Sequence, residues 1–171
     1  DHFVLAFVYL FDFETRRLVE RTAILPPRAM ELPPHVRAGA VFEQGGLRVA
    51  FTEENRGTRI AVTWPDFDGA ALAADLLVER APSHETMNVV IPWSRERFQF
   101  TSKQNCLPVT GTISVGDEKI RLARKDGTFA CLDFGRGVSR AFRILLAAGV
   151  AVLVEVELRA RPRVTVGNGH A

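Results

Sequence analysis

The chain has 171 residues, of which 47% are apolar and 12 are Phe, and its formal net charge is +2. That length and apolar content suit one domain with a sizeable core, and the near-neutral charge excludes a dedicated nucleic-acid face. The two cysteines, Cys106 and Cys131, are too few for a disulfide framework or a C-x-x-C metal site.

The basic residues are nearly all Arg, with Lys only at 103, 119 and 125, and they are scattered as solvated charges are. The longest near-continuous apolar run, Ile144 to Val154, falls short of the roughly 20 residues that a membrane span needs. No signal peptide opens the sequence, so a cytoplasmic location is expected. The sequence starts at Asp1 rather than Met, which leaves an upstream beginning open. Four His (His2, His35, His84 and His170) show no metal-ligand spacing, and neither a metal nor a cofactor is expected.

In chain order, residues 2–13 are β-branched and aromatic and read as a strand, ETRR as a turn, and residues 18–25 as its hairpin partner. Prolines 26, 27, 33 and 34 forbid a continuous ladder and mark a loop. VRAGAVFE then leads through Gly45-Gly46 to LRVAFTEE, where Leu47, Val49 and Phe51 alternate with Arg48, Ala50 and Thr52. That period of two predicts one apolar and one polar face, and RIAVTW repeats it with Ile60, Val62 and Trp64. PDFDG has turn chemistry. AALAADLLVER favours helix by propensity, yet Leu72, Ala74, Leu76 and Val78 share a strand face, and the strand-rich surroundings decide for strand.

Further strands are predicted at 88–93, 97–102, 111–116, 118–123 and 128–134. Short strands with Gly, Asn and Asp turns point to an all-β, antiparallel barrel or curved sandwich of about 9–11 strands. Residues 139–171 depart from this pattern. SRAFRILLAAG reads as a short amphipathic helix, VAVLVEVEL as a strand, and GNGHA as a polar end.

The richest polar stretch is QFTSKQNCLP (99–108). On an extended backbone Ser102, Gln104 and Cys106 share one face, and Thr101, Lys103 and Asn105 the other. An inward Lys103 would need a partner such as Asp133, whereas an outward one would make the segment a surface strand leading into a turn. FGRGV (134–138) has G-x-G without the rest of a dinucleotide loop. It reads instead as a strand-ending turn flanked by an Asp133–Arg136 pair. His84 and Glu85 adjoin in a loop, where direct acid–base cooperation needs a special geometry.

HETMNVVIPWSRERFQFTSKQNCLPVTGTISVG and FACLDFGRG, with DHF…YLFDFET, LPP and PDF before them, resemble domain-of-unknown-function family 2804 over about residues 1–138. The resemblance implies a fold distantly similar to lipocalin-like carotenoid hydratases and tocopherol cyclases, built from two barrel-like halves around an isoprenoid. It implies no established activity. Its motifs also mark His84, Trp93 and Asn88. The family pattern continues past Gly137 with an aromatic Trp-Pro-Tyr-type segment that this sequence lacks. Residues 139–171 are therefore expected to be a divergent tail, from truncation or an altered reading frame near residue 138.

Two functions are expected from these residues. One is binding of a small apolar, lipid- or isoprenoid-like ligand, with Ser102, Lys103, Gln104, Asn105, Asp133, Arg136, His84 and Trp93 as candidate contacts. The other is cofactor-independent, acid-catalysed hydration, cyclisation or isomerisation, with Asp133 or Glu85 as proton donor and Lys103 or Arg136 orienting it. A structural domain without a ligand is the third alternative, in which these motifs only close the sheet.

Overall fold

A computed structural model describes residues 4–26, 33, 35–138 and 149–155, the side chains of Val4, Arg136, Val138 and 149–155 excepted. Eleven strands and one 3-10 turn make up these residues: β1 (Val4–Asp12), β2 (Arg17–Leu25), β3 (Ala40–Gln44), β4 (Leu47–Glu54), β5 (Gly57–Trp64), β6 (Leu72–Glu79), β7 (Met87–Ser94), β8 (Arg97–Val115), β9 (Glu118–Leu122), the 3-10 turn (Arg124–Asp126), β10 (Phe129–Val138) and β11 (Gly149–Glu155). All pairings are antiparallel. The all-β expectation therefore holds, and residues 72–79 are strand rather than helix. The tail contributes β11 where VAVLV predicts a strand, and the helix expected at its start lies outside the described residues.

The central sheet runs β11-β10-β8-β6-β5-β4-β3, with β7 and β9 also paired to β8. Among the described residues it does not close into a barrel, because β3 and β11 end the ladder without pairing to each other. The β1–β2 hairpin forms its own two-stranded sheet instead of joining β3. The proline-rich stretch between β2 and β3 explains this, since Pro offers no N–H to a ladder.

Period-two alternation builds the core. Val49 pairs with Val62, and Val62 with Ala74; Phe51 pairs with Ile60, and Ile60 with Leu76. One inner face thus collects Leu47, Ile60, Leu76, Val78 and Val109, all buried. Ala6, Val8, Leu10, Val19 and Ala23 of the hairpin pack against it. Arg17 and Arg21 of β2 bond Asp68 in the PDFDG turn and pin the hairpin to the β5–β6 connection. Phe67 of the same turn is buried beside Trp64, with ring centroids 6.0 Å apart. The opposite face of the central sheet carries the Arg59–Asp75 and Arg48–Glu43 ion pairs along β3–β6, and exposed apolar side chains such as Val89, Ile91 and Trp93 along β7.

Turn chemistry sets two strand junctions. Gly45 (φ 58°) and Gly46 (φ 81°) form the two-residue β3–β4 turn, which needs positive φ at both positions. Gly111 lets β6 and β8 approach closely, because a Cβ there would lie 2.1 Å from the Asp75 carbonyl oxygen.

Candidate functional site

The 99–108 stretch lies within one 19-residue strand, β8, rather than between two strands. Its polar run marks a bulge. Leu132 pairs with Gln104 and Ala130 with Leu107, so Asn105 and Cys106 together face Cys131. Cys106 takes φ 55°, an unusual value for a residue with a Cβ. One extra residue flips strand parity. Odd-numbered Leu107 and Val109 point inward after the bulge, whereas even-numbered Gln104 and Ser102 are buried before it.

Both flanks of β8 break at this point. On one side β6 pairs with residues 109–115 and β7 with 97–103, leaving residues 80–86 to span the gap. On the other side β9 gives way through the 3-10 turn to β10. The freed backbone groups find partners: the Val109 N–H donates to Thr128 O (3.1 Å) and the Arg80 N–H to Arg56 O (2.8 Å). His84 Nε2 lies 2.9 Å from the Asn105 carbonyl oxygen, which makes Nε2 the protonated nitrogen.

Arg80 carries the polar core of the corner. Its side chain is only 11% exposed. Its Nε donates to Gln104 Oε1 (2.7 Å), Nη1 to Glu53 Oε1 (2.9 Å) and Nη2 to Thr58 Oγ1 (3.2 Å). Thr58 in turn donates to Glu53 Oε2 at 3.2 Å. This network joins the β8 bend to the β4–β5 end of the sheet.

Beside it, Glu79 is buried and bonds Arg56 (2.9 Å) and Arg124 of the 3-10 turn. The hydrogen bond from Arg124, with that from Arg56, holds the Glu79 carboxyl below the usual carboxylate range, against the opposing effect of burial.

A small open cleft of about 30 Å³ adjoins the network, with Val36, Ala38, Ala40, Phe51, Leu132 and Phe134 as its apolar lining. Glu53 and Thr58 form its polar end, and Arg37, 65% exposed, lies at its rim with Nε 3.8 Å from Glu53. Phe100 extends the apolar wall towards β7 through a tilted contact with Phe134 (6.3 Å).

The expected site residues do not gather at one spot. Gln104 belongs to the buried network, and Ser102 lies beside it in the inward register, with its Oγ buried and unbonded. Lys103 points away from Ser102 and Gln104, and its Nζ pairs with Asp133, the two side chains being 43% and 38% exposed; Asp133 is also among the residues that line the cleft. Asn105 and Glu85 are exposed, and Trp93 is 47% exposed on β7. Arg136 occupies the β10 position opposite Phe100, with its side chain outside the described residues. FGRG does not form the strand-ending turn expected of it. Gly135 and Gly137 pair with Thr101 and Gln99 inside β10, because the neighbouring β8 ladder supplies partners for their backbone groups. The partner of Asp133 is Lys103 across the ladder.

Arg80, Glu53 and Thr58 are not among the residues that the sequence singles out. A signal exists nonetheless: Glu53 continues the inward series Leu47, Val49, Phe51, and Thr58 the inward series with Ile60 and Val62. A carboxylate on that parity must find a cation.

Among the described residues no group of His, Cys, Asp and Glu could hold a metal ion, and no helix is long and apolar enough to cross a membrane. A family model described as "Domain of unknown function (DUF2804)" matches residues 1–153, a span that takes in residues 149–153 of β11. No curated protein and no solved structure matches the chain.

Proposed function

The chain belongs to the DUF2804 family, and within it we propose that this domain binds a small, mostly apolar molecule in the cleft between residues 36–40, β4–β5 and β10. One observation carries the reading: an apolar-lined cleft ends at Glu53 and Thr58, which Arg80 holds in place. Apolar walls with a few fixed polar groups are the usual composition of a small-molecule site. The reading implies a ligand with one hydrogen-bonding end at Glu53 and Thr58 and an apolar part that lies over the open wall of Phe51, Leu132 and Phe134. Of the residues read from sequence, Gln104 contributes by bracing Arg80.

Acid catalysis by Asp133 has less to stand on, since its carboxylate is solvent-accessible and bonded to Lys103. A purely structural role is the second reading. It is favoured by the way His84 and Arg80 bond to the β8 bend, at Asn105 and Gln104, and Lys103 bonds across the adjoining β8–β10 ladder.

Titration with retinol and with a C16 fatty acid, followed by Trp fluorescence, separates these readings. Saturable one-site binding that Ala38→Trp abolishes, with far-UV circular dichroism unchanged, supports the cleft. Absence of saturable binding for both compounds leaves the structural reading.

A further inference from the structure

The β1–β2 hairpin is apolar on both sides. Its inner side chains enter the core. Its outer side carries Leu5 (57% exposed), Phe7 (52%), Tyr9 (40%) and Phe11 (42%) from β1, and Leu18 (57%) and Ile24 (55%) from β2. The ladder aligns them in one surface: Leu5 pairs with Ile24 and Phe11 with Leu18. Phe13, 67% exposed, extends it, and Phe11 and Phe13 meet edge-on with centroids 4.8 Å apart. Phe7 and Tyr9 are stacked at 6.3 Å. Among the described residues Glu20, opposite Tyr9, is the one charged residue in the strand positions of this face.

The outer face of β3–β6 in the central sheet differs from the hairpin face. There Arg59, Asp75, Arg48 and Glu43 form ion pairs. An apolar patch of the hairpin's size on a soluble surface marks an interaction site.

We propose that the outer face of the β1–β2 hairpin is a homodimer interface, with two copies of the chain stacking these faces about a two-fold axis. The area fits one copy of itself. Seven large side chains exposed by about half amount to roughly 700 Å², close to the ~800 Å² that each partner contributes to a standard interface. A single patch that is nearly free of charge meets its own image without like-charge conflict over most of its area, and a two-fold contact closes without further copies. The face is a pleated ladder rather than a hollow. It therefore suits another sheet, stacked at about 10 Å with side chains interdigitated.

Sedimentation velocity on the full chain tests this at about 10 µM, where a dimer of micromolar Kd is substantially populated. The expected species has twice the 19.0 kDa chain mass. Phe7→Lys and Phe11→Glu, made singly and together, are expected to shift it to monomer with far-UV circular dichroism retained. Thr63→Lys, on the polar outer face, should leave the dimer intact. A Tyr9→Cys variant in a Cys106→Ser/Cys131→Ser background provides a second readout, an oxidative cross-link between copies. A wild-type chain that is monomeric at this concentration overturns the proposal, whatever else then covers the face. So does a dimer, or a larger species, that survives both hairpin substitutions.

Discussion

Residues 107–115 and 97–104 belong to one strand, yet they meet different surroundings. Leu107 and Val109 are fully buried and Ile113 nearly so; Leu107 pairs with β10, Val109 with β6, and Ile113 with both β6 and β9. In the other half only Gln104 and Ser102, next to the bend, are buried; Phe98 is 38% exposed, and Val90 across the ladder 61%. The first half, residues 107–115, is held by buried apolar side chains and by ladders to β6 and β9. The second is tied to the molecule at its base by hydrogen bonds and ion pairs. A single bulge therefore lets one strand serve a closed core on one side of the bend and a more exposed sheet with β7 on the other, and the polar SKQN run accompanies the bend.

That contrast makes ranked predictions. Leu107→Ala should cost about 3 kcal/mol in denaturant unfolding, because it opens a cavity in a fully packed site. Phe98→Ala should cost well under half of that; equal losses would show that the two halves are packed alike. Arg80→Met comes next, at roughly 2 kcal/mol, because it removes the donor of Gln104 and the nearest cation of Glu53. The same substitution should raise hydrogen exchange in β7 more than in β6, because residues 80–86 link them; uniform exchange would refute the corner role.

Glu79 tests the other flank through pH. Its folded pKa is lowered by Arg124 and Arg56, so its contribution is complete above the ordinary Glu value of about 4.3. It is lost as pH falls from there through the folded pKa. Thermal unfolding of Glu79→Gln should show a lower Tm than wild type at neutral pH, and the two curves should converge on acidification. Parallel curves would mean that the carboxylate adds nothing. The smallest effect belongs to Lys103→Met or Asp133→Asn. This pair is over a third exposed, and such pairs are worth about 0–1 kcal/mol. A loss above about 2 kcal/mol would show that the pair is far better shielded than its exposure indicates.

How much of this is legible in the sequence differs from place to place. In LRVAFTEE and RIAVTW the alternation names Leu47, Ile60 and Trp64, which are buried where the pattern puts them, but Ala50, on the face read as polar, is buried as well, while Val49, Phe51 and Val62 are half-buried. In AALAADLLVER propensity and pattern disagree, and the pattern prevails because β5 and β8 supply ladder partners on both sides. Around residue 105 periodicity splits one strand in two. A strict period of two cannot register an inserted residue, and Cys106 has no mark of left-handed backbone such as Gly or Asn would give. The buried Arg80 network is hidden for another reason: its members, at positions 53, 58, 80 and 104, are far apart in sequence.

Local order was thus determined by the amino-acid sequence alone: antiparallel strands, their faces, the glycine turns and membership of a family built on the same motifs. These depend on side-chain periodicity and backbone stereochemistry, which act between near neighbours. Tertiary structure decided the rest. It left the sheet open, turned Lys103 outward, seated Arg80 beneath the cleft and exposed one side of the hairpin, because each depends on which distant strand supplies the next partner.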